Sequence, residues 1–158
     1  MIRNIFRYNK TFQLESGQSL PGLNRCYYTS EQQNHFGKPV VWICHALTAN
    51  ANPYDWWPEL VGEGKLFDPD SFFIVCANII GSSYGSTSPL SINPKTGKPY
   101  LTDFPLVSVR KWVKAHELLY DGFLVEQEKN SEKTNHFWKE TLHQRTFQKS
   151  WKAPAIAC

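Results

Sequence analysis

Two short apolar runs constrain this chain more than any other feature. Lys38-Pro-Val-Val-Trp-Ile-Cys44 and Ser71-Phe-Phe-Ile-Val-Cys-Ala77 are continuous and rich in β-branched and aromatic residues. A strand with one wet face alternates polar and apolar side chains. An unbroken run predicts a strand buried on both faces. Between the runs, Asp55-Trp-Trp-Pro-Glu-Leu-Val-Gly62 reads as a short helix, with Asp55 as N-cap, Pro58 in the first turn, and Gly62 and Gly64 as the stop. Strand, helix, strand is a crossover unit, so the two strands should lie parallel. The predicted class is α/β.

Upstream, Phe12-Gln-Leu-Glu-Ser16 and Asn24-Arg-Cys-Tyr-Tyr-Thr29 flank the turn cluster Gln18-Ser-Leu-Pro-Gly22. They predict two antiparallel strands, a hairpin or meander. Downstream, residues 89–103 read as a turn-rich loop. Val107, Val109, Trp112, Val113, His116, Leu119 and Tyr120 then recur at helical steps. Asp103 or Ser108 is the expected start of this helix, and Gly122 the expected break. From Glu126 the sequence is highly charged with scattered aromatics. Trp138 and Leu142, and Phe147 and Trp151, stand four apart, as on a marginal amphipathic helix. The expected division is a core at 1–122 and a helical, lid-like or degenerate tail at 123–158.

A chain of 158 residues can bury a real core, and 41% apolar content with six Trp is enough to fill one. Net charge is +3, without a basic run, which argues against nucleic-acid binding. No segment has the length and apolarity of a signal peptide or a membrane span. The four cysteines, Cys26, Cys44, Cys76 and Cys158, have no metal-ligand spacing. Cys44 and Cys76 read as core, and a reducing, cytoplasmic setting is expected.

Gly81-Ser-Ser-Tyr-Gly85 fits the G-x-S-x-G pattern of a serine-hydrolase nucleophile elbow, with Ser83 as the nucleophile. An elbow needs a strand before the serine and a helix after it. The strand is present, but Ser86-Thr-Ser-Pro-Leu-Ser-Ile-Asn-Pro94 has no helical period. The reading preferred here is a glycine-rich loop at the carboxyl end of a parallel strand, where α/β proteins bind ligands. Cys44-His45 is not read as a dyad, because adjacent strand residues point to opposite faces. The loop after Cys44 can instead offer a backbone N–H to an oxyanion. His116 lies on the apolar stripe of the long helix and reads as a core or boundary residue. His136 and His143 are seven apart, too far for an i, i+4 metal pair. Asp68 and Asp70 read as loop-capping. No metal site is predicted.

Several segments, in order, resemble the amino-terminal part of homoserine O-acetyltransferases, enzymes of the α/β-hydrolase fold. They are Phe12-Gln-Leu-Glu-Ser-Gly17, Cys44-His-Ala-Leu-Thr48, Asp55-Trp-Trp-Pro58 and Gly62-Glu-Gly-Lys-Leu-Phe-Asp68. Asn78-Ile-Ile-Gly-Ser-Ser-Tyr-Gly-Ser-Thr-Ser-Pro89, Asn93-Pro-x-Thr-Gly-Lys-Pro-Tyr100 and Asp103-Phe-Pro-Leu-Val107 follow. The resemblance implies a partial α/β-hydrolase fold, with antiparallel strands leading into a mostly parallel sheet. It implies acetyl transfer from acetyl-CoA, as co-substrate, to L-homoserine, through an acyl-serine and a Ser-Asp-His triad, on the route to methionine. No bound cofactor is implied. The motif His45-Ala46-Leu47-Thr48 would supply part of the oxyanion hole, through the backbone N–H of Leu47. Gly81, Ser82, Ser83, Tyr84 and Gly85 would form a loop at the pocket mouth.

The family's elbow, Gly-Gly-Ser-x-Gly-Gly, has no counterpart here, nor have its triad Asp and His. Lys111-Trp112 stands where the family has Asp-Met. Tyr120-Asp-Gly-Phe-Leu-Val-Glu-Gln-Glu-Lys-Asn130 and His136-Phe137 resemble the helical lid that follows the elbow in full-length members. The expectation is a truncated or internally deleted homologue without the nucleophile segment, inactive alone, with an exposed parallel edge, marginal stability and a tendency to self-associate, as a homodimer for example. Two alternatives stand beside it. One is a small esterase using Ser83 with His116 or His45 as base, and the other a non-catalytic interaction protein.

Overall fold

The computed structural model describes residues 1–31, 38–131 and 156–157, with side chains described up to residue 122. Its centre is a mixed five-stranded sheet. In chain order the strands are β1 (Ile2–Tyr8), β2 (Phe12–Gln13), β3 (Ser19–Leu20), β4 (Leu23–Thr29), β5 (Val40–Ile43), β6 (Phe73–Ala77), β7 (Ile92–Asn93) and β8 (Lys98–Pro99). The helix α1 (Val109–Ser131) follows, and then β9 (Ile156–Ala157). The main sheet has the order β1-β4-β6-β5-β9, while β2-β3 and β7-β8 form two small ribbons.

β5 and β6 are parallel, with Val40 opposite Phe73 and Ile43 opposite Cys76. β6 is buried at every position, so its two faces meet two different cores. On one face Tyr27, Trp42, Phe73, Val75 and Ala77 pack with Leu119 of α1. On the other, Val41, Ile43, Ile74 and Cys76 pack beneath Tyr54, Trp56 and Trp57. The sequence predicted this pair and its parallel sense, and the fold class with it.

Four local expectations are corrected. The amino-terminal hairpin is paired differently: β4 lies antiparallel to β1, with Ile2 opposite Thr29, and Phe12–Gln13 pairs with Ser19–Leu20 instead. The segment after Asp55 is not a helix. A single 3-10 turn, Pro53–Asp55, is followed by tight turns in which Trp57 N–H donates to Pro53 O and Val61 N–H to Trp57 O. Asp55 does not cap, because its carboxylate accepts from the side-chain amides of Asn50 and Asn52. The 89–103 loop contains the β7-β8 ribbon and the 3-10 turn Leu101–Asp103. Gly122 does not break the helix, which runs on to Ser131. A Cβ at residue 122 would stand 2.9 Å from Cε2 of Phe6, so this glycine lets α1 lie close against β1. Of the two expected starts, Ser108 is the one that meets the first turn of α1, where its carbonyl accepts from Lys111 and Trp112 N–H.

The free edge expected beside β5 is also occupied. β9 pairs parallel to it, with Trp42 opposite Ile156 and Ile43 opposite Ala157. His136, His143, Trp138, Leu142, Phe147, Trp151 and Cys158 lie outside the described residues.

Candidate functional site

The carboxyl ends of β5 and β6 lie side by side, and each releases a loop. After β5, Cys44-His-Ala-Leu-Thr-Ala49 makes a turn closed by Ala49 N–H donating to Ala46 O at 2.9 Å. That turn uses the N–H of Ala49 and leaves those of Leu47 and Thr48 outside its own bond. Leu47 is 74% exposed, so it stands at the tip of the loop.

After β6, residues 78–88 form a second loop, pinned by buried polar groups. Asn78 is fully buried. Its backbone N–H donates to Cys26 O at 2.9 Å and its side-chain Nδ2 to Tyr84 O at 2.7 Å. Ser86 Oγ accepts from Cys26 N–H, and Thr87 Oγ1 from Asn24 N–H. Thr87 N–H returns a bond to Asn24 O. A Ser-Thr-Ser run with no apolar period looks like linker, yet its hydroxyls replace backbone partners for β4. Gly85 has φ of +95°, and a Cβ there would meet Arg3 Nη2 at 2.7 Å and Cys26 Cβ at 3.1 Å. The positive φ and the nearby Cys26 favour glycine at that position.

His45 ties the two loops together. Ile79 N–H donates to its Nε2 at 3.3 Å. That nitrogen is therefore the acceptor, so Nδ1 carries the proton and donates to Ala46 O at 2.7 Å. One ring nitrogen thus bonds within the loop after β5 and the other reaches the Asn78–Ser88 loop.

Ser83 sits exposed in a turn, and no α-helix follows it among the described residues before Val109. The letters of an elbow are present without its strand–turn–helix geometry. His116 cannot serve Ser83 as a base. Its Nδ1 accepts from Arg25 Nη2 at 3.0 Å, and its ring stands edge-on to Trp42 at 5.3 Å between centroids. Burial, then the nearby charges of Arg25 and His45, lower its pKa to about 3. Arg25, which is fully buried, has its pKa lowered to about 10 by burial. Its Nε donates to Asn78 O at 2.8 Å, while Nη1 has no partner among the described residues. This Arg25–His116–Asn78 cluster escaped sequence reasoning, since an arginine inside Leu-Asn-Arg-Cys-Tyr looks like a solvent-facing residue.

Burial pushes the Cys76 thiol up to about 12 and raises that of Cys26, so neither is an activated nucleophile. Asp68, given a loop-capping role, fulfils it by accepting from the N–H groups of Gly64 and Asp70. Among the described residues no cluster of His, Cys, Asp or Glu could hold a metal, and no helix is long and apolar enough to cross a membrane. A cleft of about 510 Å³ lies elsewhere, between Tyr8, Leu20, Gly22, Thr87, Ile92 and Tyr100, and contains none of His45, Leu47 or Ser83.

A mixed sheet with a parallel central pair and a helix packed on one face defines the class as a partial α/β-hydrolase fold. Solved structures agree. The chain superposes on esterase E22 with a TM-score of 0.65 and 25% identity, covering 77% of this chain and 37% of that one. It is similar to the homoserine O-acetyltransferase from Staphylococcus aureus at a TM-score of 0.60 and 28% identity, covering 77% and 36%. The enzyme of that name from Bacillus anthracis gives 0.58 and 27%, covering 77% and 37%.

More particularly, the chain is a relative of the homoserine O-acetyltransferases over about three quarters of its length. It is 48% identical over 119 residues to that of Cyclobacterium marinum, covering 75% of this chain and 34% of the relative. The Chlorobaculum parvum enzyme is 47% identical over 122 residues, covering 77% and 34%. The chain thus spans about a third of the length of the curated relatives it matches. No family model matches.

Proposed function

We propose that this chain is a homoserine O-acetyltransferase homologue that retains the oxyanion-loop half of the family's site and performs no acyl transfer by itself. The family reaction moves an acetyl group from acetyl-CoA to the hydroxyl of L-homoserine, a step toward methionine carried out in the cytoplasm. It needs a nucleophilic serine, a base to take its proton, and two N–H groups for the oxyanion. In this reading the Leu47 N–H is one of those two groups, and the Gly81–Gly85 loop is a wall of the pocket mouth.

The observation that carries the reading is the engagement of both histidines near the two loops. His45 bonds through both nitrogens, one within its own loop and one to the other loop, and His116 is locked by Arg25 under α1. Both are committed to these contacts, and Ser83 lies in an exposed turn. The esterase alternative loses its base on the same grounds. An oxyanion loop and substrate contacts without a triad leave at most about 10³–10⁴-fold acceleration over water.

The test is labelling of the folded chain with a fluorophosphonate serine probe, read by intact mass and peptide mapping. A parallel assay measures thiol release from acetyl-CoA with and without L-homoserine. No adduct and no homoserine-dependent release are expected. A stoichiometric adduct on Ser83 would overturn the proposal in favour of a compact hydrolase.

A further inference from the structure

The cleft of about 510 Å³ beside the amino-terminal strands lies apart from His45, Leu47 and Ser83, yet it is built as a site. Its volume is that of a small-molecule pocket. Its walls come from separate segments that backbone pairing locks together. Leu23 stands opposite Tyr8 in the ladder between β4 and β1. Thr87 N–H donates to Asn24 O at 2.8 Å, and Tyr100 N–H to Ser91 O at 3.0 Å. The lining also defines an occupant. No acidic or basic side chain takes part in it, so an ion would lose hydration there without gaining a counter-charge. Tyr8 and Tyr100 contribute aromatic rings, and the fully buried Leu20 an apolar surface. The exposed side chains of Asn9 and Asn24 supply amide donors and acceptors. Leu90 and Ile92 line the cleft while 63% and 58% exposed, and large apolar side chains left in water beside a cavity mark a surface that a ligand covers.

The backbone adds an independent observation. Leu101, next to Tyr100, has φ of +47°, a left-handed conformation that leucine adopts only at a cost. Its own side chain is 58% exposed, so packing of that side chain does not offset the strain. Its N–H donates to Pro89 O at 2.8 Å, which closes the loop that carries Leu90, Ser91, Ile92 and Tyr100 into the wall. Strain of this kind concentrates at ligand sites. We propose that the cleft binds an uncharged small molecule that carries an aromatic ring and an amide group. The ring fills the space lined by Tyr8, Leu20 and Tyr100, the amide meets Asn9 or Asn24, and Leu90 and Ile92 lose their exposure to it. The site shares no residue with the His45-to-Thr48 motif, so it stands whether or not the chain takes part in acyl transfer.

The experiment titrates benzamide into the isotope-labelled full chain and follows amide chemical shifts by NMR. Saturable shifts at Gly22, Asn24 and Ser91 are expected, with a dissociation constant of about 1–10 mM for so small a probe. Benzoate and benzamidinium have nearly the same shape and carry opposite charges. Each should bind at least tenfold more weakly than benzamide, and this comparison needs no altered chain. The double variant Leu90→Lys/Ile92→Lys should weaken benzamide at least tenfold, while Leu66→Lys, at an exposed position outside the cleft, should leave it unchanged. All three altered positions are exposed, and circular dichroism checks that the variants fold. Absence of a saturable shift, shifts centred outside the cleft, equal binding of either ion, or benzamide binding indifferent to the two lysines would each overturn the proposal.

Discussion

At the residue scale, the contact between buried Arg25 and half-buried His116 is the most consequential one. His116 titrates near 3 in the folded chain against 6.5 as an isolated side chain, because burial and Arg25 disfavour its charge. Between those values the unfolded chain binds more protons than the folded one. Stability is therefore fully present above about pH 6.5 and is lost as pH falls toward 3, with a slope of up to about 1.4 kcal/mol per unit. Urea titrations from pH 7 to 4 should show this slope, and His116→Asn should flatten it. The same replacement leaves Arg25 with a poorer partner, so a cost of about 1–3 kcal/mol at pH 7 is expected. A second residue-scale expectation concerns thiols. Native Cys26 and Cys76 should resist iodoacetamide at pH 8 for as long as the chain stays folded, and react at once in denaturant, as read by peptide mass. Early labelling of Cys76 would contradict its burial in β6 beneath Tyr54, Trp56 and Trp57.

Among elements, the loop from Asn78 to Ser88 makes the sharpest claim. Gly81 and Gly85 both have positive φ, of +98° and +95°. A Cβ at Gly81 meets nothing within 4 Å, whereas at Gly85 it runs into Arg3 and Cys26. Gly81→Ala should therefore cost about 1 kcal/mol and Gly85→Ala about 2–3 kcal/mol, measured by urea denaturation. Equal costs would mean that the loop is not packed against β4. Legibility in the sequence varied for reasons visible in particular residues. β5 and β6 could be read because burial on both faces leaves an unbroken apolar run. β1 could not, because its half-buried face carries Asn4, which donates to Thr29 Oγ1, while Ile5 faces solvent. The helix after Asp55 failed because Asn50 and Asn52 claim the capping carboxylate. The Cys44–Thr48 segment was legible only as a motif that resembles the family's. Its anchoring was not, since the bond from Ile79 to His45 joins positions 34 residues apart.

For the whole molecule, Trp42 is the joint. It lies in β5, packs with Tyr27, Val75 and Leu119, meets His116 of α1, and stands opposite Ile156 of β9. Trp42→Ala should cost about 3–5 kcal/mol, a large share of the roughly 5–15 kcal/mol that holds a domain of this size together. Near-UV circular dichroism and chemical denaturation should show the loss as a lower midpoint with an unchanged slope. If the midpoint hardly moves, the sheet edge and α1 are not one cooperative unit.

The strand order β4-β6-β5 has a consequence on the ribosome. β4 can pair with β1 as soon as it is made, but β5 has no earlier neighbour in the sheet and finds β6 only when Ala77 has been made, 34 residues after Ile43. At about 5–20 residues per second, the apolar Val40–Ile43 segment waits roughly 2–7 s in the nascent chain without its partner. The emerging polypeptide carries this apolar stretch unpaired for that interval, open to wrong pairings before it is a folded protein.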